Sequence, residues 1–205
     1  MTKKLLVLLA FLNISNLIAQ EVFMQTRKNS TTYDFKASDS GVTPNYRSGS
    51  GDFYEIGYKY NYTNSKFAYL LSLTYNQFNA AASAGATSYS WDTSYLGIQN
   101  SIDYTFFESI NGIKLALKAG INTAHIINGE QFINTSYYDL KNQEEFTGII
   151  LQPLISFNAN YSISEQVSVS LGYSFSRAFN ISNSSDEKLS FNTNQIQFGL
   201  HFPIN

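Results

Sequence analysis

Seven segments of this chain alternate apolar and polar residues with a period of two, a pattern that only a strand with two unlike faces satisfies. Tyr54, Ile56, Tyr58, Tyr60 and Tyr62 alternate with Glu55, Gly57, Lys59 and Asn61. Phe67, Tyr69, Leu71, Leu73 and Tyr75 oppose Ala68, Leu70, Ser72, Thr74 and Asn76. The pattern returns over 96–106, where Asn100 is the one polar intruder on the apolar side, and over 113–122, 149–161, 167–176 and 195–202. The stretch 146–164 carries no charge and could pass for a spanning helix, but Gln152, Pro153, Asn158 and Asn160 and the period of two make it a strand.

An even strand count closes an up-and-down antiparallel sheet, and residues 21–36 supply the eighth strand from Val22, Phe23, Thr26, Thr31, Thr32, Tyr33 and Phe35, although without clean alternation. Links between segments alternate in length. Short ones fall at 63–66, 108–112 and 164–166; long ones are expected at 37–51, 79–92, 127–146 and 180–191. Short and long connections therefore lie at opposite ends, with both termini on the short-turn side. That is the arrangement of bacterial outer-membrane barrels, with short periplasmic turns and longer extracellular loops.

Alternation by itself does not say which face meets solvent, since a water-soluble barrel shows the same period. Composition decides it. Only 14% of residues are charged, against about 25% in an ordinary soluble domain. The polar faces are mostly Ser, Gly, Asn, Gln and Thr, with Glu55, Lys59, Asp103, Lys114 and Lys118 as their charges, and the apolar faces of the seven segments carry none. Small neutral groups suit a narrow packed lumen. The five charges are expected to pair there, because an unmatched buried charge costs several kcal/mol. Aromatic residues collect toward strand ends: Tyr60, Tyr62, Phe67, Tyr69, Tyr104, Phe106 and Phe202 at the short-turn rim, and Tyr54, Tyr75 and Trp91, with Phe78, Tyr89 and Tyr95, at the other. Two such girdles are expected where rings meet lipid headgroups.

Residues 1–19 read as a signal peptide, with Lys3 and Lys4 ahead of the apolar run 5–12 and a cut after Ala19; residues 20–205 form the barrel domain. With no cysteine and a net charge of -2, neither a disulfide scaffold nor nucleic-acid binding is indicated.

The signal ending Ala19-Gln20, the run Tyr95-Leu96-Gly97-Ile98-Gln99-Asn100, the Gly172-Tyr173 pair and the closing 195–202 strand resemble the small outer-membrane β-barrel proteins of Bacteroidota, with an OmpX/OmpA-like architecture. The resemblance implies an all-β, eight-stranded transmembrane barrel in the outer membrane, both termini periplasmic, monomeric, in contact with outer-membrane lipid and delivered by the assembly machinery. It implies a structural or surface-interaction role, through adhesion or partner binding at four long extracellular loops above a plugged lumen. A narrow channel for small solutes and an exported soluble barrel for an apolar ligand are the alternatives. Some small barrels are lipid-modifying enzymes, but His125 at the outer rim has no neighbouring Ser in sequence. No catalytic residue, metal site or cofactor is expected.

Overall fold

The computed structural model describes residues 21–36, 45–182 and 188–204; the expected signal peptide lies outside them. Eight long strands close on themselves: β1 (Glu21–Lys36), β2 (Asn45–Asn61), β3 (Phe67–Ala84), β4 (Thr87–Glu108), β5 (Ile113–Ile133), β7 (Ile149–Ser162), β8 (Ser168–Asn180) and β9 (Lys188–Pro203). A ninth, β6 (Ser136–Asp139), is a four-residue strand folded back on the end of β5. Every pairing is antiparallel between chain neighbours, β5 pairs β7, and β1 meets β9 from Glu21↔Pro203 to Lys36↔Lys188. The sheet is thus a closed eight-stranded antiparallel barrel among the described residues, and closure leaves the long strands no unpaired edge.

The faces are inverted relative to a water-soluble barrel. Apolar side chains point out and stay uncovered, among them Ile56, Leu73, Ile98, Ile155, Leu171 and Ile196, the last 65% exposed. Polar ones point in and are buried, including Gln99, Asn122, Gln152, Gln195 and Gln197. A soluble monomer rarely exposes contiguous apolar surface on this scale. The outside is nonetheless not free of charge, as the apolar faces led one to expect. Lys28 pairs with Asp52 at 2.8 Å and Arg177 with Asp34 at 3.1 Å, all four side chains substantially exposed.

The short connections behave as the sequence indicates. Gly112 takes a φ of 80° and Asn64 a φ of 55°, and each turn is closed by local backbone bonds such as Ser109 N to Ile113 O and Ser65 N to Tyr62 O. The expected long link at 79–92 is a correction. β3 and β4 continue past it in register to Ala84↔Thr87 and turn in two residues, with only Gly85 at positive φ, the pattern of a type II′ hairpin. Alternation fades there because Ala80, Ala81, Ala82 and Ser83 offer little contrast between faces, not because the strands end. The 127–146 link also shortens, since β5 runs on to Ile133 before β6.

Candidate functional site

The side chains inside the barrel form layers. At the short-turn end, His201 on β9 has Nδ1 2.5 Å from the Glu21 carboxylate on β1 and Nε2 3.0 Å from the Ser170 hydroxyl on β8, with the Phe23 ring stacked against it at 5.8 Å. Lys59 donates to Asp103 at 3.1 Å beside them. This layer borders an open vestibule of about 1020 Å³ reached by Glu21, Lys59, Lys66, Glu108, Lys114 and His201. The order carboxylate, imidazole, hydroxyl is that of a hydrolytic triad. Chemistry at Ser170 is disfavoured by its surroundings, because Ser170 is only 1% exposed and sits in a strand paired on both edges, with Asn160 and Gly199. Its neighbouring strand N–H groups are therefore committed to the ladder rather than aimed at an oxyanion.

The next layer is built around one carboxylate. Glu55 on β2 has both oxygens occupied: Ser72 and Gln99 donate to Oε1 at 2.7 and 2.8 Å, while the Arg27 guanidinium and, at 3.7 Å, the Lys118 ammonium face Oε2. Arg27 also donates to Gln25 and Gln195, and its guanidinium lies 4.0 Å from the centre of the Phe53 ring. Lys118 donates to Gln25 at 3.3 Å. Six strands contribute, and all three charged side chains are at most 1% exposed. Burial this deep demands such matching, since an unpaired ion would keep its full desolvation cost.

Above it lies a layer of amides. Asn29 donates to Asn76, Asn76 and Asn122 both donate to Gln152, and Gln152 donates to Ser176. Gln195 returns the chain to Asn29 at 2.8 Å. At the end opposite the short turns the lumen turns aromatic. Phe78 and Phe191 stack at 4.9 Å with an interplanar angle of 4°, Tyr33 packs edge-on against Phe191, and the Tyr33 hydroxyl donates to the Phe78 carbonyl at 2.7 Å.

Of the five charges read from sequence, Glu55 and Lys118 share the central cluster and Lys59 and Asp103 pair nearer the vestibule. Lys114 does not join them. It pairs with Glu108 at 2.8 Å on the rim, where both side chains are roughly half exposed, because it sits at the start of β5 next to the turn. Sequence reasoning missed Arg27, Glu21 and His201. The clue for Arg27 lay in its polar neighbours: β1 buries its odd positions from Phe23 to Tyr33, but outward Thr26, Lys28 and Ser30 mask the phase.

Among the aromatics, Tyr54, Tyr62, Phe67 and Phe106 are exposed on the outer face, and Tyr60, Tyr69, Tyr75, Tyr104 and Phe202 are partly so. Phe67 meets Tyr104 at 4.8 Å and Tyr60 meets Tyr62 at 5.3 Å along the short-turn rim. Tyr69 donates to Asn100 at 2.5 Å, which satisfies the polar intruder on the apolar face. Trp91 is a correction: it is 8% exposed and faces inward, packed on Tyr33, Tyr46 and Tyr89, and Phe78 and Tyr95 are likewise inside. These rings pack into one buried aromatic cluster inside the end of the barrel opposite the short turns. His125 is exposed outside and bonds the Gly148 carbonyl at 2.8 Å. Among the described residues no group of three or more His, Asp or Glu is placed to hold a metal ion.

No protein-family model matches the chain, and no curated protein matches it in sequence. Solved structures do match in shape. Neisserial surface protein A (NspA) aligns with a TM-score of 0.55 at 14% identity, covering 89% of this chain and 97% of that one. OprG from Pseudomonas aeruginosa gives 0.46 at 13%, covering 91% and 97%. Ail, the attachment invasion locus protein of Yersinia pestis, gives 0.43 at 9%, covering 90% and 100%. The first of these shows that the chain has the fold of small outer-membrane barrels.

Proposed function

We propose that this chain is an outer-membrane barrel protein with a plugged lumen and a structural or surface-interaction role exercised at its extracellular end. The observation that carries the reading is the inversion of faces: matched charges and amides inside, uncovered Leu, Ile and Phe outside. Such a shell is stable only against lipid, and such an interior leaves an apolar ligand no place at mid-barrel. The reading includes export by the 1–19 signal, delivery by the assembly machinery, a monomer in outer-membrane lipid of the Bacteroidota kind, and both termini on the periplasmic side. Glu21 and Pro203, paired at the short-turn end, support that orientation.

Fractionation and gel mobility test it. The mature protein is expected in the outer-membrane fraction and to migrate faster unboiled than boiled. Recovery in the soluble periplasmic fraction would refute the membrane reading. Planar-bilayer recordings are expected to show no steady conductance, and a steady current abolished by Lys118→Ala would replace the plug with the narrow channel.

A further inference from the structure

At the end opposite the short turns the barrel carries a second, smaller cavity of about 230 Å³. Four aromatic residues line it. Trp91 lies 5.5 Å from Tyr33 and 6.0 Å from Tyr46, with rings tilted by 39° and 37°, and Tyr33 lies 6.2 Å from Phe146. One charged residue, Glu145, and two amides, Gln131 and Gln143, complete the polar part of the wall. Gln131 reaches the cavity because the β4–β5 register slips: Tyr95 pairs Ile126 while Ser94 pairs Asn128, so Ile127 is an extra residue and β5 turns its odd positions inward beyond it.

We infer that this cavity is a binding site for a small organic cation with a methylated ammonium head. The Glu145 carboxylate is partly buried yet meets neither donor nor cation among the described residues, whereas the lumen's carboxylates at Glu55 and Asp103 are each paired. An unmatched carboxylate beside several aromatic faces, each with negative potential above the ring, is complementary to a weakly hydrated cation. The cavity is smaller than the roughly 300–1,000 Å³ that drug-sized ligands occupy, so it suits a trimethylammonium group with a short tail. A neutral sugar would use the ring faces and amides but leave the carboxylate unmatched. The site lies on the face through which the surface-interaction reading operates, but binding to purified barrel tests it independently of location or partner.

Trp91 is the chain's single tryptophan, so its fluorescence reports the cavity directly. The refolded full chain in detergent, shown folded by its faster unboiled migration, is titrated with choline, with its neutral isostere 3,3-dimethylbutanol and with glucose. A saturable change with choline is expected, at least about tenfold tighter than with either neutral compound, as a desolvated cation–π contact allows. Glu145→Gln, which keeps size and the Trp91 signal, is expected to weaken choline about tenfold and leave the isostere unchanged; Tyr46→Leu weakens choline with Glu145 intact. The inference is overturned if choline gives no saturable change, if the isostere or glucose binds as tightly, or if folded Glu145→Gln binds choline like the parent.

Discussion

Asp103 stands directly across the β-ladder from Lys118, yet its ion pair is with Lys59, two strands away in the barrel order. Lys118 instead reaches Glu55, on the same strand as Lys59. The exchange follows from depth. Glu55 is the more deeply buried carboxylate, and it faces two cations, while Asp103 lies one layer nearer the vestibule and is served by Lys59, whose side chain retains 13% exposure.

Depth sets the expected rank of two isosteric substitutions. Glu55→Gln removes the one carboxylate that matches Arg27 and Lys118, leaving two buried cations, and is expected to destabilise the barrel by about 3–5 kcal/mol. Asp103→Asn leaves only Lys59, which borders the vestibule, and is expected to cost less, about 1–3 kcal/mol, the cost of a mostly buried donor losing its charged acceptor. Equilibrium urea unfolding in lipid vesicles, followed by the unboiled gel shift, measures both. Equal losses would contradict the layered account.

The aromatic layer and the charged layer are expected to block the lumen separately. Phe191 contacts Phe78, Tyr33 and Tyr95 at ring distances of 4.9, 4.7 and 6.0 Å. Phe191→Ala therefore empties the centre of the aromatic layer and is expected to cost about 3–5 kcal/mol. Conductance is expected to stay absent, because the Glu55 cluster beneath is untouched. A steady current in planar-bilayer recordings of the folded Phe191→Ala protein would show that the aromatic layer alone is the seal.

What the sequence made legible is what period two encodes: seven strands, their facing, and the charges on the inward side. Glu55, Lys59, Asp103 and Lys118 were readable because each sits among apolar neighbours that fix its phase. Arg27 was not, since outward Lys28 and Thr26 blur the phase of β1 and the outer Lys28 is stabilised by Asp52, a partner on another strand. Trp91 was misplaced for a related reason: its position near a strand end suits a lipid interface and a lumen cap equally, and only the three-dimensional neighbours Tyr33 and Tyr46 distinguish them. The choice of ion-pair partners was also out of reach, because the ladder places Lys118 beside Asp103 while side-chain length and burial send it to Glu55.

Two exposed isoleucines separate a lipid shell from an ordinary apolar surface. Ile98 is 50% exposed on the outer face of β4, whereas Ile110 is fully exposed in the short turn after it. Ile98→Lys is expected to cost about 2–4 kcal/mol in vesicles, the cost of a lysine facing the bilayer interior. Ile110→Lys is expected to change stability by less than about 0.5 kcal/mol, as an open surface site does. Vesicle unfolding of the two variants side by side gives the answer, and equal tolerance would mean that the outer face of β4 does not meet lipid.

Arg27 tests whether the central cluster depends on shape as well as charge. Its guanidinium serves Glu55, Gln25 and Gln195 together and lies over Phe53, 4.0 Å from the ring centre. A lysine keeps the charge but presents a compact ammonium that cannot spread across three acceptors or stack on the ring. Arg27→Lys is therefore expected to lose about 1–3 kcal/mol, from hydrogen bonds to a charged group and the cation–π contact. At the rim, Lys114→Arg changes the same residue types in reverse beside half-exposed Glu108, and the expected change is under about 0.5 kcal/mol. Unfolding midpoints of the two variants, measured under one lipid and salt condition, are expected to differ accordingly. If Arg27→Lys unfolds with the parent, the cluster requires only a positive charge at that position, and the guanidinium's contacts with Gln195 and Phe53 contribute nothing measurable.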